Sequence, residues 1–193
     1  MRILRSATYR RMPWKNGGGE TREIAVFPEG AGMDDFGWRI SMAHVAQDGP
    51  FSLFPGIDRT LLVLDGMGIK LDIAGQVPVH LDKDTGPFSF SADKTTYSRL
   101  CDGPIADLNV MTRRGFFTHD VSIITLETES EQPFTLRIGA VFCLHKNVIF
   151  ITDKKSNHLY PSDSVVRAVD TPQQFRLRGE GTVVLVRIYP CNE

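Results

Sequence analysis

Hydrophobic and β-branched residues recur along the chain in short runs that alternate with polar residues. The clearest runs are 38–46, 60–65, 69–73, 105–112, 121–126, 134–144, 147–152 and 182–189. Gly, Pro, Asp and Asn stand between them, and no long stretch repeats its apolar residues at the 3.6-residue period of a helix. Many short strands separated by turn residues are typical of an all-β sandwich or barrel, which is the fold class that we predict.

The two halves of the chain carry similar β-rich segments. Pairing Leu64 with Leu144 gives an offset of 80 residues, and pairing Gly103 with Gly181 gives an offset of 78. Because the two offsets nearly agree, they indicate that one β-unit occurs twice. The alternative is chance similarity between β-rich segments. The second copy lacks the turn glycines and most of the polar strand positions, so we expect one functional half and one structural half.

The segment 62–71 (LVLDGMGIKL) resembles the strand–turn–strand of cupin barrels. Metal-dependent cupins place a His-x-His group and a Glu just ahead of it, where this chain has 57–60 (IDRT). Its five histidines are scattered, so we predict no metal and no other cofactor. The resemblance implies an RmlC-like jelly roll with two cupin half-units in one compact chain. Residues 1–115 would form the unit with the ligand site, and residues 116–193 a mainly structural unit.

Composition narrows the partners that we expect. The net charge of −1 predicts no nucleic-acid partner, and no apolar run approaches the roughly 20 residues that span a bilayer. The start of the chain, 1–6 (MRILRS), lacks the apolar core of a signal peptide. Cys101, Cys143 and Cys191 are odd in number and widely spaced, which favours free thiols. These features predict a cytoplasmic protein without a membrane partner.

One strand suggests an oligomer. The run 182–189 carries apolar residues on both faces, and both faces need cover. We therefore predict a homodimer, because barrel sheets pair edge to edge. The alternative is that the other half of the same chain supplies all of the cover.

The stretch 14–23 (WKNGGGETRE) is the most distinctive in the chain. Three glycines after an Asn allow the backbone to reach positive φ and to approach another surface closely. A phosphate-binding loop would need its Lys after the glycines and a helix to follow, whereas strand formers follow here up to Pro28. The pattern therefore argues against nucleotide binding. The plain alternative is a surface hairpin, for which Asn-Gly is a common turn signal.

Four segments, in this order, resemble the HutD/Ves family: 14–23 (WKNGGGETRE), 38–41 (WRIS), 51–59 (FSLFPGIDR) and 107–114 (DLNVMTRR). They cover the first half of the chain, and the second half fits by its strand pattern. The resemblance implies a metal-free, single-chain bicupin associated with bacterial histidine utilisation. It further implies that the protein senses or buffers a metabolite of that pathway, with formylglutamate and urocanate as the candidates.

Polar residues share strand faces with apolar ones, because side chains alternate along a strand. The predicted face of 107–113 holds Asp107, Asn109, Met111 and Arg113. The predicted face of 21–27 holds Thr21, Glu23, Ala25 and Phe27, and that of 57–63 holds Ile57, Arg59, Leu61 and Val63. Buried charge is costly unless it is paired, so we expect a barrel mouth that holds a polar ligand. The alternatives are solvated faces, or a structural bridge from Arg59 to Glu23 or Asp107.

The chemistry of these residues favours a small carboxylate. Arg59 offers a planar fork, Lys15 a point charge, and Asn109 an amide. The candidate ligand-binding residues are Trp14, Lys15, Asn16, Thr21, Glu23, Phe54, Arg59, Asp107, Asn109 and Arg113. Asp107 and Glu23 would orient the arginine or accept an N–H from the ligand. The aromatic residues would wall the pocket or belong to the core, and a register slip would turn Arg113 away, because its neighbour points the opposite way.

Three functional hypotheses follow. The first is a protein that binds a small acidic metabolite without converting it. The second is a metal-free cupin enzyme, an isomerase or hydrolase, that uses Glu23 or Asp107 as a general base. We predict no catalytic residue, because no nucleophile–base pair is visible and no Ser or Cys has a His at a suggestive position. The third is a protein–protein regulator with a vestigial pocket.

Overall fold

A computed structural model describes residues 1–127 and 131–191. Its regular elements are strands and one short 3-10 helix, Ser6–Thr8. The strands are β1 (Arg2–Leu4), β2 (Arg10–Pro13), β3 (Gly19–Phe27), β4 (Trp38–Val45), β5 (Gly49–Pro50), β6 (Ile57–Asp65), β7 (Ile69–Ile73), β8 (Val79–Leu81), β9 (Phe88–Ser91), β10 (Thr96–Leu100), β11 (Ile105–Arg113), β12 (Phe117–Leu126), β13 (Glu131–His145), β14 (Val148–Ile151), β15 (Ser156–Leu159), β16 (Ser164–Arg178) and β17 (Gly181–Pro190). The all-β prediction is confirmed.

Every run of the hydrophobic pattern overlaps a strand, but the pattern missed the long strand β16. The cause is a register shift in the pairing of β16 with β13. Ala168 pairs with Ile138, and Gln173 pairs with Leu136, so the residues around Pro172 fall outside the regular ladder. A proline is tolerated at such an irregularity because no ladder hydrogen bond is required from it. The alternation is lost there, and with it the sequence signal.

The chain folds into two compact units. One unit consists of residues 10–118 and 190–193, the other of residues 1–9 and 119–189. The sequence placed a boundary after residue 115 and did not group the first nine residues with the second half. The assignment of a ligand site to one unit and a structural role to the other stays a prediction.

The unit built on residues 10–118 contains two antiparallel sheets. The six-stranded sheet has the order β2-β3-β4-β11-β6-β9, and the four-stranded sheet has the order β5-β10-β7-β8. Its main apolar core draws on both sheets, with Leu61 and Val63 from β6 and Ile69, Leu71 and Ile73 from β7. The central strands β6 and β11 are buried on both faces. Polar side chains in the middle of these strands are therefore removed from water, whereas Asp58 and Asp65 of β6 are not.

The other unit is built on a seven-stranded sheet of order β12-β17-β13-β16-β14-β15, with β1 added to β16. Its core includes Val141, Cys143, Phe150 and Leu185. The order β12-β17-β13-β16 follows the same scheme as β4-β11-β6-β9 in the first unit, which is what a duplication would produce. The duplication itself stays a prediction.

A β-bulge in β3 corrects the predicted face of that strand. Glu23 pairs with Ser41, but Ala25 pairs with Ile40, so the register shifts between them. Because side chains alternate, Ala25 and Phe27 fall on the opposite face from Glu23. The prediction that all four residues of 21–27 share one face was wrong for these two. Phe27 instead stacks on Trp38, with ring centroids 5.8 Å apart.

Two further sequence expectations bear on the described residues. Cys101, Cys143 and Cys191 are all free, as expected from their number and spacing. No helix within residues 1–127 and 131–191 is long and apolar enough to cross a membrane.

Candidate ligand-binding site

A cavity of about 490 Å³ lies over one face of the six-stranded sheet. Its floor comes from β3, β4, β11 and β6, and its rim comes from the glycine-rich turn before β3 and from the segment 47–52. The volume lies within the range of small-molecule sites, which are concave and contain a few placed polar groups. The polar groups of this cavity are the residues that matter for its chemistry.

Strand register aligns the cavity residues in rows across the sheet. The first row runs Arg39, Met111, Arg59 across β4, β11 and β6. The second row runs Glu23, Ser41, Asn109, Leu61, and the third runs Thr21, Ala43, Asp107, Val63. Because neighbouring strands lie about 4.8 Å apart, the backbones of the two arginines stand roughly 10 Å apart on either side of Met111. Both guanidinium groups can therefore reach one small group above that residue.

Arg59 is a buried arginine without an ion pair in the part of the chain that the structure describes. Its guanidinium carbon lies 5.2 Å from the ring centroid of Phe51, 5.3 Å from that of Phe54 and 5.8 Å from that of Phe90. Its Nη2 donates only to the Sδ of Met111, at a distance of 3.7 Å, and a thioether sulfur is a weak acceptor. Its Nε has no hydrogen-bond partner. The structural bridge from Arg59 to Glu23 or Asp107 is not formed within 4.0 Å.

Desolvation dominates the electrostatics of Arg59. Burial lowers its pKa to about 10, the charge of Asp107 opposes this shift, and the charge of Arg39 adds to it. A guanidinium with a pKa near 10 still carries its charge at neutral pH. The cavity thus holds a positive charge that is desolvated and lacks strong hydrogen-bond acceptors. Burying such a charge costs free energy, and a bound anion would offset that cost.

Arg39 is the second cavity arginine, and its charge is matched. Its Nε donates to Glu23 Oε2 at 2.9 Å, and its Nη1 donates to Ser41 Oγ at 3.4 Å. Its Nη2 is buried and has no partner among the described residues. Glu23 therefore acts on the cavity through Arg39, because it does not line the cavity itself. The pair thus leaves both N–H groups of Arg39 Nη2 without an acceptor in the described chain.

Asp107 and Asn109 form a second polar centre on β11. Asn109 Nδ2 donates to Asp107 Oδ1 at 2.6 Å, and the backbone of Ala43 also bonds to the Asp107 carboxyl. Complete burial raises the pKa of Asp107 to about 7, although the charge of Arg59 and these hydrogen bonds lower it in part. The carboxyl group therefore exchanges its proton near neutral pH, so it can donate or accept a hydrogen bond to a ligand.

The glycine-rich stretch is both a hairpin turn and a cavity wall. It joins β2 to β3, with Trp14 N donating to Gly19 O at 2.9 Å and Gly18 N donating to Asn16 Oδ1 at 3.0 Å. A Cβ on Gly19 would clash with His44 O, so only glycine lets the backbones pass this closely. Trp14 Nε1 donates to Thr21 Oγ1 at 2.8 Å, which fixes the indole at the rim. Lys15 also lines the cavity.

The structure brings eight of the ten candidate residues together around the cavity. These are Trp14, Lys15, Asn16, Thr21, Phe54, Arg59, Asp107 and Asn109. Glu23 and Arg113 do not line it. Arg113 Nε donates to Phe36 O at 3.0 Å, and its Nη2 donates to Asp34 O at 2.6 Å. Its guanidinium is thus used to hold the segment before β4.

Arg113→Ala is expected to reduce the free energy of unfolding by about 1–2 kcal/mol, because two carbonyl groups lose a charged donor. Carboxylate affinity is expected to stay unchanged, since the side chain lies outside the cavity lining. Urea denaturation measures the first quantity and calorimetric titration the second. A loss of affinity without a loss of stability would contradict this structural role.

Arg39 and Ser41 were not among the residues predicted to bind a ligand, although both lie in the segment 38–41 (WRIS). The available signal was alternation, because Arg39, Ser41 and Ala43 share one face just as Arg59, Leu61 and Val63 do. Phe51, Asp48 and Ser98 were also missed as lining residues. They come from the rim segment and from the four-stranded sheet, and only the folded chain brings them to the cavity.

No Cys has a His at a suggestive position in the sequence, but the fold brings one such pair together. His80 Nδ1 lies 3.4 Å from Cys101 Sγ, and His80 Nε2 lies 3.2 Å from Asp82 Oδ2. Cys101 and His80 lie 21 positions apart in sequence and meet because β8 and β10 flank the same strand, β7. Within the described ranges, no group of three or more His, Cys, Asp or Glu side chains is arranged to hold a metal ion.

Comparison with proteins of known sequence identifies relatives that match a little more than half of the chain. Over 111 residues the chain is 41% identical to an uncharacterised 21.2 kDa protein in the hutC 3′ region of Pseudomonas putida, covering 58% of this chain and 57% of that protein. Over 109 residues it is 43% identical to protein Ves of Citrobacter koseri, covering 54% and 56%. The chain thus spans little more than half the length of these curated relatives.

Comparison with solved structures covers nearly the whole chain. A conserved protein of unknown function from Pseudomonas aeruginosa matches with a TM-score of 0.84 at 32% identity, over 97% of both chains. HutD from Pseudomonas fluorescens matches with a TM-score of 0.83 at 28% identity, over 99% of both chains. A cupin 2 conserved barrel domain protein from Leptotrichia buccalis matches at 0.60 with 13% identity, over 88% of both chains, which supports the cupin fold alone.

The family follows from the match over the chain as a whole. The cupin-like, all-β fold agrees with the fold that the sequence predicted. A model of the HutD family matches residues 6–185, and the chain therefore belongs to the HutD family.

Proposed function

We propose that this protein binds a small acidic metabolite of histidine catabolism, formylglutamate or urocanate, and that it modulates histidine utilisation by sensing or buffering it. One observation carries the proposal. Arg39 and Arg59 are both buried at the same cavity, and each has a guanidinium nitrogen without a hydrogen-bond partner among the described residues. Buried donors are rarely left unpaired, so these two nitrogens call for an acceptor.

The charge balance of the cavity floor favours one carboxylate next to the arginine pair. Glu23 matches the charge of Arg39, whereas Arg59 has no carboxylate within 4.0 Å in the described chain. A carboxylate above Met111 would accept from both guanidinium groups and balance the remaining charge. Charge-assisted hydrogen bonds of this kind are about twice as strong as neutral ones.

The second polar centre favours an N–H group at the other end of the ligand. Asn109 lies one row away from the row of Arg39, Met111 and Arg59, and Asp107 lies two rows away from it. The backbones of Asn109 and Asp107 are therefore roughly 7 and 13 Å from that row. An ionised Asp107 accepts an N–H, and a protonated one donates to a carbonyl. Formylglutamate carries a formamide and urocanate carries an imidazole, each at a distance from a carboxylate. Both candidates therefore offer the two groups that the cavity complements.

The relatives add support of a different kind. One relative lies in a hutC 3′ region, and one structural match is named HutD. These names associate those proteins with a hut region, and the ligand class comes from the cavity. The metabolite and the regulatory role are therefore the proposal itself.

Calorimetric titration is expected to show binding of formylglutamate or urocanate, with one ligand per chain. Two control compounds sharpen the test, because acetate has the carboxylate alone and imidazole has the N–H group alone. The expected result is much weaker binding of either fragment than of the whole ligand, since each reaches only one polar centre. If neither metabolite binds better than acetate, the cavity does not select for the two-centre ligand and the proposal fails.

A metal-free enzyme is the second candidate, and Asp107 is the observation that favours it. A carboxyl group whose pKa is raised to about 7 suits general acid–base catalysis near neutral pH. Proton NMR of each metabolite incubated with the protein separates the candidates. New resonances that disappear with Asp107→Asn would favour the enzyme, and unchanged spectra would favour the binding protein.

We also propose a cytoplasmic location and a homodimer, on the sequence features given above. Sedimentation equilibrium tests the second statement directly. A mass near 21.6 kDa at micromolar concentration would contradict the dimer.

A further inference from the structure

Outside the cavity lining, the structure places a thiol, an imidazole and a carboxylate in line. Cys101 Sγ lies 3.4 Å from His80 Nδ1, and His80 Nε2 lies 3.2 Å from Asp82 Oδ2. All three side chains reach solvent, since Cys101 is exposed and the side chains of His80 and Asp82 are 54% and 37% exposed. A thiol next to a base that a third group orients is the arrangement of an activated nucleophile.

The turn between β6 and β7 lies against both Cys101 and the His80 imidazole. Cys101 follows β10, His80 lies on β8, and β7 lies between the two strands. Cys101 N donates to Gly68 O at 3.1 Å. Gly68 has φ +107°, and a Cβ there would lie 2.6 Å from Leu81 O and 3.3 Å from His80 Cε1. A glycine at this turn is therefore what leaves room for the ring beside the thiol.

The carboxylate is held just as firmly. Asp82 Oδ1 accepts from Asp84 N at 3.0 Å, from Thr85 N at 2.9 Å and from Thr85 Oγ1 at 2.7 Å. These bonds leave Oδ2 for the imidazole. The Thr85 hydroxyl bond is the main cause that lowers the pKa of Asp82, so this group is an anion at neutral pH. With Nε2–H donated to it, Nδ1 presents its lone pair to the thiol.

We propose that Cys101 is a reactive thiol that exchanges with small-molecule disulfides, with His80 as its base and Asp82 as the residue that positions the imidazole. His80 Nδ1 takes the S–H proton, and the thiolate attacks one sulfur of R–S–S–R. The bond from Cys101 Sγ to that sulfur forms, the original S–S bond breaks, and the thiolate RS⁻ leaves and takes the proton from His80. The incoming disulfide supplies the oxidising equivalents, so no other oxidant is needed.

The other two thiols provide an internal comparison. Cys143 is buried, and desolvation raises its pKa to about 11, so it is a poor nucleophile. Cys191 is partly exposed, and its backbone N–H donates to Phe116 O. Neither has a histidine among its hydrogen-bond partners in the described chain. Reactivity confined to Cys101 would therefore reflect its neighbours and not exposure alone.

Several charged groups surround the site, and they affect how its reactivity depends on pH. Lys70 lies opposite both His80 and Arg99 in the strand pairing, and Arg99 pairs with Asp72 at 3.8 Å. Asp48 Oδ1 accepts from Leu100 N, and Asp102 is the next residue after Cys101. These charged groups lie on the elements next to His80 and Asp82. The experiment must therefore separate their electrostatic effect on the thiol from proton transfer to the His80 imidazole.

The test follows the reaction of dithiodipyridine, a neutral disulfide, with the whole protein from about pH 5 to about pH 9, and locates the label by peptide mass spectrometry. We expect Cys101 to be labelled first and Cys101→Ser to abolish the fast phase. His80→Asn is expected to slow labelling at pH 7 by at least about fivefold and to move the pH profile of the rate towards that of an ordinary cysteine. Asp82→Asn is expected to cause a smaller loss.

Matched variants separate a base from a nearby charge. His44→Asn removes an exposed histidine that forms no hydrogen bond with a cysteine of the described ranges, so it is expected to leave the rate unchanged. Lys70→Ala removes a neighbouring cation and is expected to scale the rate without changing the shape of the pH profile. First labelling at Cys191, or an unchanged pH profile in a folded His80→Asn protein, would overturn the proposal. Because this site lies outside the cavity lining, its test does not depend on the proposed metabolite.

Discussion

Arg59→Ala is expected to weaken the binding of formylglutamate or urocanate at least tenfold. The substitution removes a charged hydrogen bond to the ligand, which contributes about 1.5–3 kcal/mol. The loss should be at the upper end of that range, because Arg59 is desolvated and three phenylalanine rings hold it in place. Calorimetric titration measures the affinity, and the melting temperature of the same sample reports the fold.

Three further variants assign the cause. Arg59→Lys keeps the charge but cannot make a two-pronged contact, so it is expected to bind poorly as well. Arg59→Met keeps an apolar chain among the phenylalanine rings and is expected to fold normally while losing affinity. Arg137→Ala removes an arginine from an exposed ion pair with Asp170 and serves as the control that should leave affinity unchanged. Full affinity in a folded Arg59→Met protein would end the carboxylate-anchor hypothesis.

Asp107→Asn is expected to stabilise the ligand-free protein more at pH 8 than at pH 5. In the folded chain burial raises the pKa of Asp107 from 3.8 to about 7. Between these two values the folded protein keeps a proton that the unfolded chain has lost. The contribution of Asp107 to stability is therefore fully present below about pH 4 and is lost as the pH rises towards 7, by up to about 1.4 kcal/mol for each pH unit. The variant has no proton to lose at this position, so its slope should be smaller.

Urea denaturation at pH 5, 6, 7 and 8 measures this difference in slope. At each pH we compare the free energy of unfolding of the variant with that of the natural protein. We expect this difference to shift in favour of the variant by about 2–3 kcal/mol between pH 5 and pH 8. Asp72→Asn, which removes a half-exposed carboxylate from the neighbouring sheet, is the matched control and should change the slope little. Parallel pH curves for the natural protein and Asp107→Asn would show that Asp107 does not carry the raised pKa.

The sequence could predict part of the cavity floor, namely Thr21, Arg59, Asp107 and Asn109, because strand alternation is a local property. Asp107 and Asn109 share a face with each other, and Arg59 shares a face with apolar neighbours, whatever the strands pair with. The same rule failed beyond Glu23, where the bulge in β3 turned Ala25 to the other face. A bulge depends on how the hydrogen-bonding registers of two paired strands fit together, and these strands are separate in sequence. The residues 21–27 alone therefore do not predict it.

The second property that the sequence could not predict is which arginine Glu23 pairs with. Glu23 was paired with Arg59 in one hypothesis, but in the structure it pairs with Arg39, because β3 lies next to β4, whereas β4 and β11 separate it from β6. The reason is strand order, which depends on how the sheet is assembled. The proximity of His80 to Cys101 has the same origin, since two strands that flank β7 bring them together.

The sequence alone determined that this chain is an all-β protein of cupin type, that its first half resembles the HutD/Ves family and which polar residues share a strand face. The all-β class and the strand faces follow from the two-residue period of the extended backbone, whereas the cupin type and the family rest on the resemblance of short segments to known families. Only the tertiary structure decided that Arg39 joins Arg59 at one cavity, that Arg113 holds backbone carbonyls outside it and that Cys101 meets His80. Those outcomes depend on strand order, register and bulges, which are set by contacts between residues far apart in the chain.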